Sequence, residues 1–479
     1  MIVIVGAGLA GLAAAHKLMA EAKKGGTPLE FTILEARNRI GGRIESVNFE
    51  DGSRIDLGAQ WLHGERNNPL YNWLESLDCI EGPEVEESEF EGVFSTPSGV
   101  IPSRELVARV LDLLMEAKSF LYKMAQTIDR HAKPVDIFRK YIEDESNRCQ
   151  YLRAADKNLV KAVERWFELY EMIDNSCEDM SLLSLRAYSD WKDFDDGKMV
   201  LLKGGWMSVV TKLVDSIGTQ KIRLNHRVER IRYDKSGVIL SVIDDLDKTI
   251  EIPCDHVILT CSIGFLKSRS PNFFEPPLGE DRLSSIHNWG FGAINKIFLR
   301  FEEPFLQEEK GLKLLWIGER RKDKTDFPQW TRYLTGFDLV TGAPNFLLGW
   351  VGGAGASMIE HVSDHEIGQV CLRIFRSFLP EKKLPNLVSA HKSTWSAEAH
   401  IRGAYSYPSL KNVDRQIDGV WDPLEVDLES NKIPRVLFAG EATSSDMYAT
   451  AHGAIFTGWR EADRLLRLRK TSQQVPPSV

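Results

Sequence analysis

The apolar positions open with a run of four, Ile2-Val-Ile-Val5, which predicts a short buried strand. The glycine-rich turn Gly6 to Gly11 follows, then a small-residue helix from Leu9 to Ala22 and a second strand at Phe31-Thr-Ile-Leu34. Strand, turn, helix and strand in this order form a βαβ unit, whose strands must be parallel and whose crossover must be right-handed. From Ser103 to about Asn175 the pattern changes to charged amphipathic helices, with Glu105 to Asp129 and Asp156 to Asp174 the clearest. After Gly204-Gly205 a helix leads into strands at Lys221 to Leu224, Val228 to Tyr233, Val238 to Ile243 and His256 to Leu259. A second β-rich block covers about Ala293 to Val351, and a helix follows from Asp364 to Phe378. The strand Arg435-Val-Leu-Phe438, a turn and a helix from about His452 to Arg469 repeat the opening order, so this last section is expected to rejoin the first sheet. The polar, Pro-containing end, Thr471 to Val479, reads as a disordered tail.

Composition narrows the function classes. A chain of 479 residues with 43% apolar content buries a large core and predicts two or three domains. A net charge of −9 argues against nucleic-acid binding and suits a cationic substrate. The six cysteines have neither CxxC nor CxxH spacing, so no metal site and no disulfide framework is expected and a reducing compartment fits best. No signal-peptide core and no run of 18 apolar residues is present, so neither secretion nor membrane insertion is expected.

Gly6, Gly8 and Gly11 fit GxGxxG between a strand and a helix: the first allows the tight turn, the second lets backbone approach a pyrophosphate, and the third lets the helix pack closely. The helix N-terminus then faces the phosphates with its unpaired N–H groups. Glu35, ending the second strand, is placed to accept hydrogen bonds from ribose hydroxyls, and its charge repels a 2′-phosphate; FAD or NAD is favoured over NADP.

The glycine turn, Glu35-Ala-Arg37 and Gly41-Gly-Arg43 together resemble the FAD-containing amine oxidase superfamily. Gly58-Ala-Gln-Trp-Leu-His-Gly64, Gly290-Phe-Gly-Ala-Ile-Asn-Lys296, Gly403-Ala-Tyr-Ser-Tyr407, Phe438-Ala-Gly-Glu-Ala-Thr443 and His452-Gly-Ala454 resemble the animal polyamine oxidases, in the same order and over nearly the whole chain. The resemblance implies an α/β fold in which a Rossmann-like FAD domain (1–80, 204–265 and 395–479) joins an α+β substrate domain (81–203 and 266–394). It also implies that Arg43 and Glu441 lie near the pyrophosphate and ribityl chain, that Val228 meets adenine through its backbone, and that Gln60, Trp61 and Thr450 belong to the flavin's surroundings. Ala404 stands where monoamine oxidases carry the cysteine linked to the flavin, so FAD is expected to be non-covalent. One segment, Thr260-Cys-Ser-Ile-Gly264, departs from the family's usual Thr-Val-Pro-Leu-Gly.

Amine oxidation requires a C–H bond aimed at the flavin and a neutral nitrogen. With an ordinary ammonium pKa of about 10.4, deprotonation at pH 7 costs roughly 4 to 5 kcal/mol, which predicts an alkaline optimum. By resemblance, Lys296 holds a water against the flavin, His63 faces flavin and substrate as a polar or proton-exchanging group, and Tyr405 packs beside the reacting amine. The opposite aromatic position of monoamine oxidases is Thr450 here, with Tyr448 nearby as a possible replacement. Glu178 resembles a recognition acid of plant polyamine oxidases and, with Asp190, Asp193, Asp195 and Asp196, is a candidate for distal ammonium groups.

The implied activity is oxidation of a secondary amine of spermine, N1-acetylspermine or spermidine to a shorter polyamine and an aminoaldehyde, with oxygen reduced to hydrogen peroxide. The alternatives are another amine oxidase of the superfamily, acting on monoamines or histone lysine, a catalytically silent flavoprotein scaffold, and a nicotinamide-dependent dehydrogenase. The end Pro477-Ser-Val479 is unlike a Ser-Lys-Leu address, so a cytoplasmic location is expected, with a peroxisomal one left open. Substrate choice among polyamines and oligomeric state are not legible in the sequence.

Overall fold

The computed structural model describes residues 1–25, 30–65, 67–80, 90–129, 131–192, 194, 199–318, 326–412, 419–428 and 431–474. Its first sheet has six strands in the spatial order Leu424–Leu428, Asn431–Phe438, His256–Leu259, Ile2–Val5, Phe31–Leu34 and Ile222–Arg223. Ile2–Val5 runs parallel to both neighbours, with Ile4 opposite Ile33 and Ile258. The opening strand is apolar throughout because both of its faces are covered: Ile2 and Ile4 join one core cluster, Val3 and Val5 another. Asn431–Phe438 pairs parallel with His256–Leu259, so the C-terminal section does rejoin the first sheet. The helix that follows, Ala451–Gln474, packs against the first helix, Leu9–Gly25. Gly458 permits this approach, since a Cβ there would lie 2.3 Å from the carbonyl oxygen of Ala10.

A second six-stranded sheet, mostly antiparallel, has the order Leu387–Lys392, Asn295–Phe301, Phe346–Val351, Gly336–Leu339, Leu312–Leu314 and Val93–Ser95. Lys296 lies on one of its inner strands, paired to Trp350 on the next. The helices Arg104–Met124, Pro134–Arg148 and Lys157–Asp174 bury their apolar stripes in a cluster of their own around Val110, Leu114, Phe138 and Phe167.

Several boundaries differ from the sequence reading, each through a local cause. The strand Thr249–Cys254 is absent from that reading because the alternation in TIEIPC is short and carries Pro253 near its end, which its edge position tolerates. Leu424–Leu428 is likewise an antiparallel edge with charged residues at alternate positions. The last helix continues to Gln474 rather than ending near Arg469, so Thr471 to Gln474 are helical; residues 475–479 lie outside the described set. At the atypical segment, Ser262 takes the N-cap: its hydroxyl accepts from Phe265 N at 3.1 Å and donates to the Ile401 carbonyl at 2.6 Å, giving an ordinary start to the helix Ile263–Phe273. Among the described residues no helix is long and apolar enough to cross a membrane, and no group of three or more His, Cys, Asp or Glu is arranged to hold a metal.

Candidate active site

A cavity of about 1010 Å³ begins at the glycine turn, passes between the two large sheets and ends among the inserted helices. At its first end, Gly6 has φ +106° and a Cβ there would meet Thr260 Oγ1 at 2.5 Å; at Gly11 it would lie 2.0 Å from the Gly6 carbonyl oxygen. Gly8 is different. The nearest atom to a Cβ at Gly8 is 3.9 Å away, and Gly8, Leu9 and Ala10 all face the cavity, so this backbone is open to a ligand at the start of a 17-residue helix. Glu35 is buried, with one carboxylate oxygen 2.8 Å from Ala7 N and the other 2.9 Å from Arg37 N. These two amides hold the side chain in place, and burial raises its pKa. Arg37 pairs with Glu398 at 3.0 Å through Nη2, while Nη1 is buried and has no partner. An unsatisfied donor beside Glu35 on the cavity wall is suited to a ligand oxygen. Arg37 was legible only as part of the Glu35-Ala-Arg37 motif; its unpaired nitrogen is a result of packing. Val228 lines the same end.

Further along, Arg43 Nη1 donates to the Ala404 carbonyl at 2.6 Å and to Glu441 Oε1 at 2.9 Å. Glu441 is buried, and its other oxygen accepts from Ser406 Oγ at 2.6 Å and Ala449 N at 2.9 Å. This one carboxylate therefore ties together the segments around residues 43, 406 and 449, which are distant in sequence. Trp61 and His63 come from the strand Trp61–His63, fixed by pairing to Met199–Leu201. Thr450 caps the final helix, its hydroxyl accepting from Gly453 N at 3.0 Å and donating to the Met447 carbonyl at 2.7 Å.

Lys296 is only 4% exposed and lines the cavity. Its ammonium donates to the carbonyls of Asp56 at 2.8 Å and Gly58 at 2.9 Å and to Gln60 Oε1 at 3.1 Å, and lies 4.7 Å from the centre of the Trp350 ring. Burial pushes its pKa down to about 8, but three oxygens and an indole face stabilise the charged form, so Lys296 is an ammonium at neutral pH. All three hydrogens are thus engaged by protein, and holding a water requires release of one of these bonds.

The Tyr405 hydroxyl donates to the carbonyl of Ile173, and the Tyr448 hydroxyl to that of Ala187 at 3.3 Å. Both phenols are held far above their ordinary pKa by burial, so they present neutral aromatic walls to the cavity. His63 packs 6.0 Å, centre to centre, from His452 and 6.1 Å from Trp191. Asn68, absent from the sequence reading, is fully buried beneath them: Nδ2 reaches the carbonyls of His63 and Gly64 at 2.9 and 2.8 Å and His452 Nε2 at 3.1 Å, and Oδ1 caps the Pro69–Ser76 helix.

His452 is also fully buried, and burial pushes its pKa down to about 3. The folded imidazole stays neutral while the unfolded one takes a proton as pH falls through 6.5. Its contribution to stability is therefore complete above about pH 6.5 and is lost between there and about pH 3. His452→Gln is expected to flatten the fall in melting temperature between pH 7 and 4; parallel curves for variant and wild type would show that His452 has no such effect.

The far arm of the cavity has a different acid on its wall. Glu178 is not among the lining residues, although both it and Asp174 are exposed. The helix Lys157–Asp174 instead brings its last residue, Asp174, to the wall, one position after the carbonyl that receives Tyr405. Lys118 bridges Glu171 at 2.6 Å and Asp174 at 3.3 Å, so one cation faces two carboxylates. Asp190 is engaged by Arg186 at 2.6 Å and does not line the cavity; Asp193, Asp195 and Asp196 lie outside the described residues. The helical pattern around Asp174 gave no hint of this, because the contact of Tyr405 with the neighbouring Ile173 carbonyl joins distant parts of the chain.

The model of the family described as flavin containing amine oxidoreductase matches residues 9–466. The chain is 28% identical to the human peroxisomal N(1)-acetyl-spermine/spermidine oxidase, over 99% of this chain and 96% of that protein. It is also 28% identical to polyamine oxidase 1 of Oryza sativa subsp. japonica, over 97% of each. A solved structure of putrescine oxidase bound to putrescine superposes with a TM-score of 0.68 at 19% identity, covering 97% of this chain and 98% of that one, a likeness that bears on the fold alone.

Proposed function

We propose, from the premise that the chain belongs to the flavin containing amine oxidoreductase family, that it is a polyamine oxidase acting on a secondary amine. FAD is the cofactor, held without a covalent link. The residues present fit it: open backbone at Gly8, the unpaired Arg37 nitrogen and the Arg43–Glu441 pair provide donors along one wall, and Ala404 offers no thiol. Glu35, Val228, Gln60, Trp61 and Thr450 complete the set that would hold it. When bound, the flavin supplies the acceptor for a hydride and passes the electrons to oxygen.

The observation that carries the reading is the continuity of one cavity from the glycine turn, past Lys296, His63 and Tyr405, to Asp174. Its polarity orders a polyamine. The buried Lys296 ammonium disfavours a second cation beside it, so the reacting nitrogen is held neutral there, as the chemistry requires. Asp174 on the wall of the far arm is the acid placed to meet a distal ammonium. Tyr405 orients the carbon chain, and His63 exchanges the proton of the amine. Water then hydrolyses the substrate iminium to an aminoaldehyde and a shorter amine, and oxygen with two electrons and two protons becomes hydrogen peroxide. The chain segments 1–80, 204–265 and 395–479 are proposed as the FAD domain and 81–203 with 266–394 as the substrate domain. The free cysteines suit a cytoplasmic location.

Anaerobic addition of spermine, N1-acetylspermine or spermidine to the yellow protein is expected to bleach the flavin band, and oxygen to restore it with release of peroxide. A yellow protein that none of the three bleaches would overturn the polyamine reading while leaving the family intact.

A further inference from the structure

The three oxygens around the Lys296 ammonium are unequal. The carbonyls of Asp56 and Gly58 belong to the main chain, and Gly58 is pressed so closely on the Arg43 carbonyl that a Cβ would lie 1.9 Å from its oxygen. Gln60 is the one side chain in the set, at 3.1 Å. An ammonium only donates, so the Gln60 amide must turn its oxygen towards Lys296. That decides an orientation which the shape of an amide leaves ambiguous. The Nε2 end has no partner among the described residues and is not closed off from the cavity that Gln60 lines.

We propose that Gln60, locked oxygen-inward by Lys296, presents its N–H pair to the flavin ring as a hydrogen-bond donor. The inference rests on the assignment of FAD. The reacting amine is not the acceptor, because a donor on its lone pair opposes the oxidation. The ring offers carbonyl oxygens and nitrogens, and a donor fixed there stabilises the negative charge that the ring acquires on reduction.

Two variants separate the two ends of the amide. Gln60→Glu keeps an oxygen for Lys296 and removes the N–H pair; Gln60→Leu removes both. Each purified holoprotein is diluted, release of FAD is followed by fluorescence, and the visible spectrum of the bound flavin is compared. Both variants are expected to bind FAD roughly threefold to tenfold more weakly, with the flavin band displaced in both, the loss of one hydrogen bond. A larger fall in melting temperature is expected in Gln60→Leu than in Gln60→Glu, since only the former also releases Lys296. Wild-type affinity and spectrum in either variant would overturn the inference. A wild-type protein that takes up no FAD would instead overturn the cofactor assignment and the inference with it.

Discussion

Lys296→Met is expected to slow reoxidation of the reduced flavin by oxygen roughly a hundredfold while FAD stays bound, the size of effect seen when one electrostatic contact to developing charge is removed. Oxygen gains negative charge as it is reduced, and Lys296 is a buried cation on the cavity wall, where little water screens it. Methionine fills a similar volume without the charge. It also leaves the Asp56 and Gly58 carbonyls without their donor, which is expected to lower stability by about 1 to 3 kcal/mol. The two effects are separable. Stopped-flow mixing of pre-reduced protein with oxygen reports the first, thermal melting the second. A variant that melts early yet reoxidises at the wild-type rate would reduce Lys296 to a staple that closes the 56–60 loop.

Asp174→Asn is expected to raise the KM for spermine roughly twofold to fivefold, with kcat unchanged, because a solvent-screened charge contact to a remote ammonium is lost without touching the reacting nitrogen. Lys118 still pairs with the buried Glu171 in this variant, so the helix keeps its internal ion pair. A secondary amine with no distal ammonium serves as the control and is expected to lose nothing. Glu178→Gln, on the exposed surface, is expected to match wild type with both substrates. An Asp174→Asn enzyme with unchanged KM for spermine, or a Glu178→Gln enzyme with a raised one, would reverse the assignment.

The two acids show why the substrate end was poorly legible. Glu178 sits in a motif-like segment, whereas Asp174, four residues earlier, has no motif around it. Which of them reaches the cavity depends on where the Lys157–Asp174 helix stops and on the bond from Tyr405 to the carbonyl of Ile173, a contact across 232 positions of chain. Asn68 and His452 illustrate the same limit. Asn68 stands in no motif and His452 is visible only as part of His452-Gly-Ala454, and their pairing beneath His63 joins the Pro69–Ser76 helix to the start of the final helix. Gln60 was legible as a neighbour of the cofactor, but the direction of its amide was not, because that is set by an ammonium on another sheet.

The residues alone determined the opening βαβ unit and the return of the C-terminal strand to its sheet. A glycine fingerprint, an acid after the second strand and a returning strand-turn-helix depend on local backbone geometry and on short-range periodicity, and both are written directly into consecutive residues. Tertiary structure alone decided which groups meet at or beneath the cavity wall: Lys296 with Gln60, His63 with His452, Asp174 with Lys118. Those pairings join residues far apart in the chain, and they follow from close packing of whole elements, which no local pattern encodes.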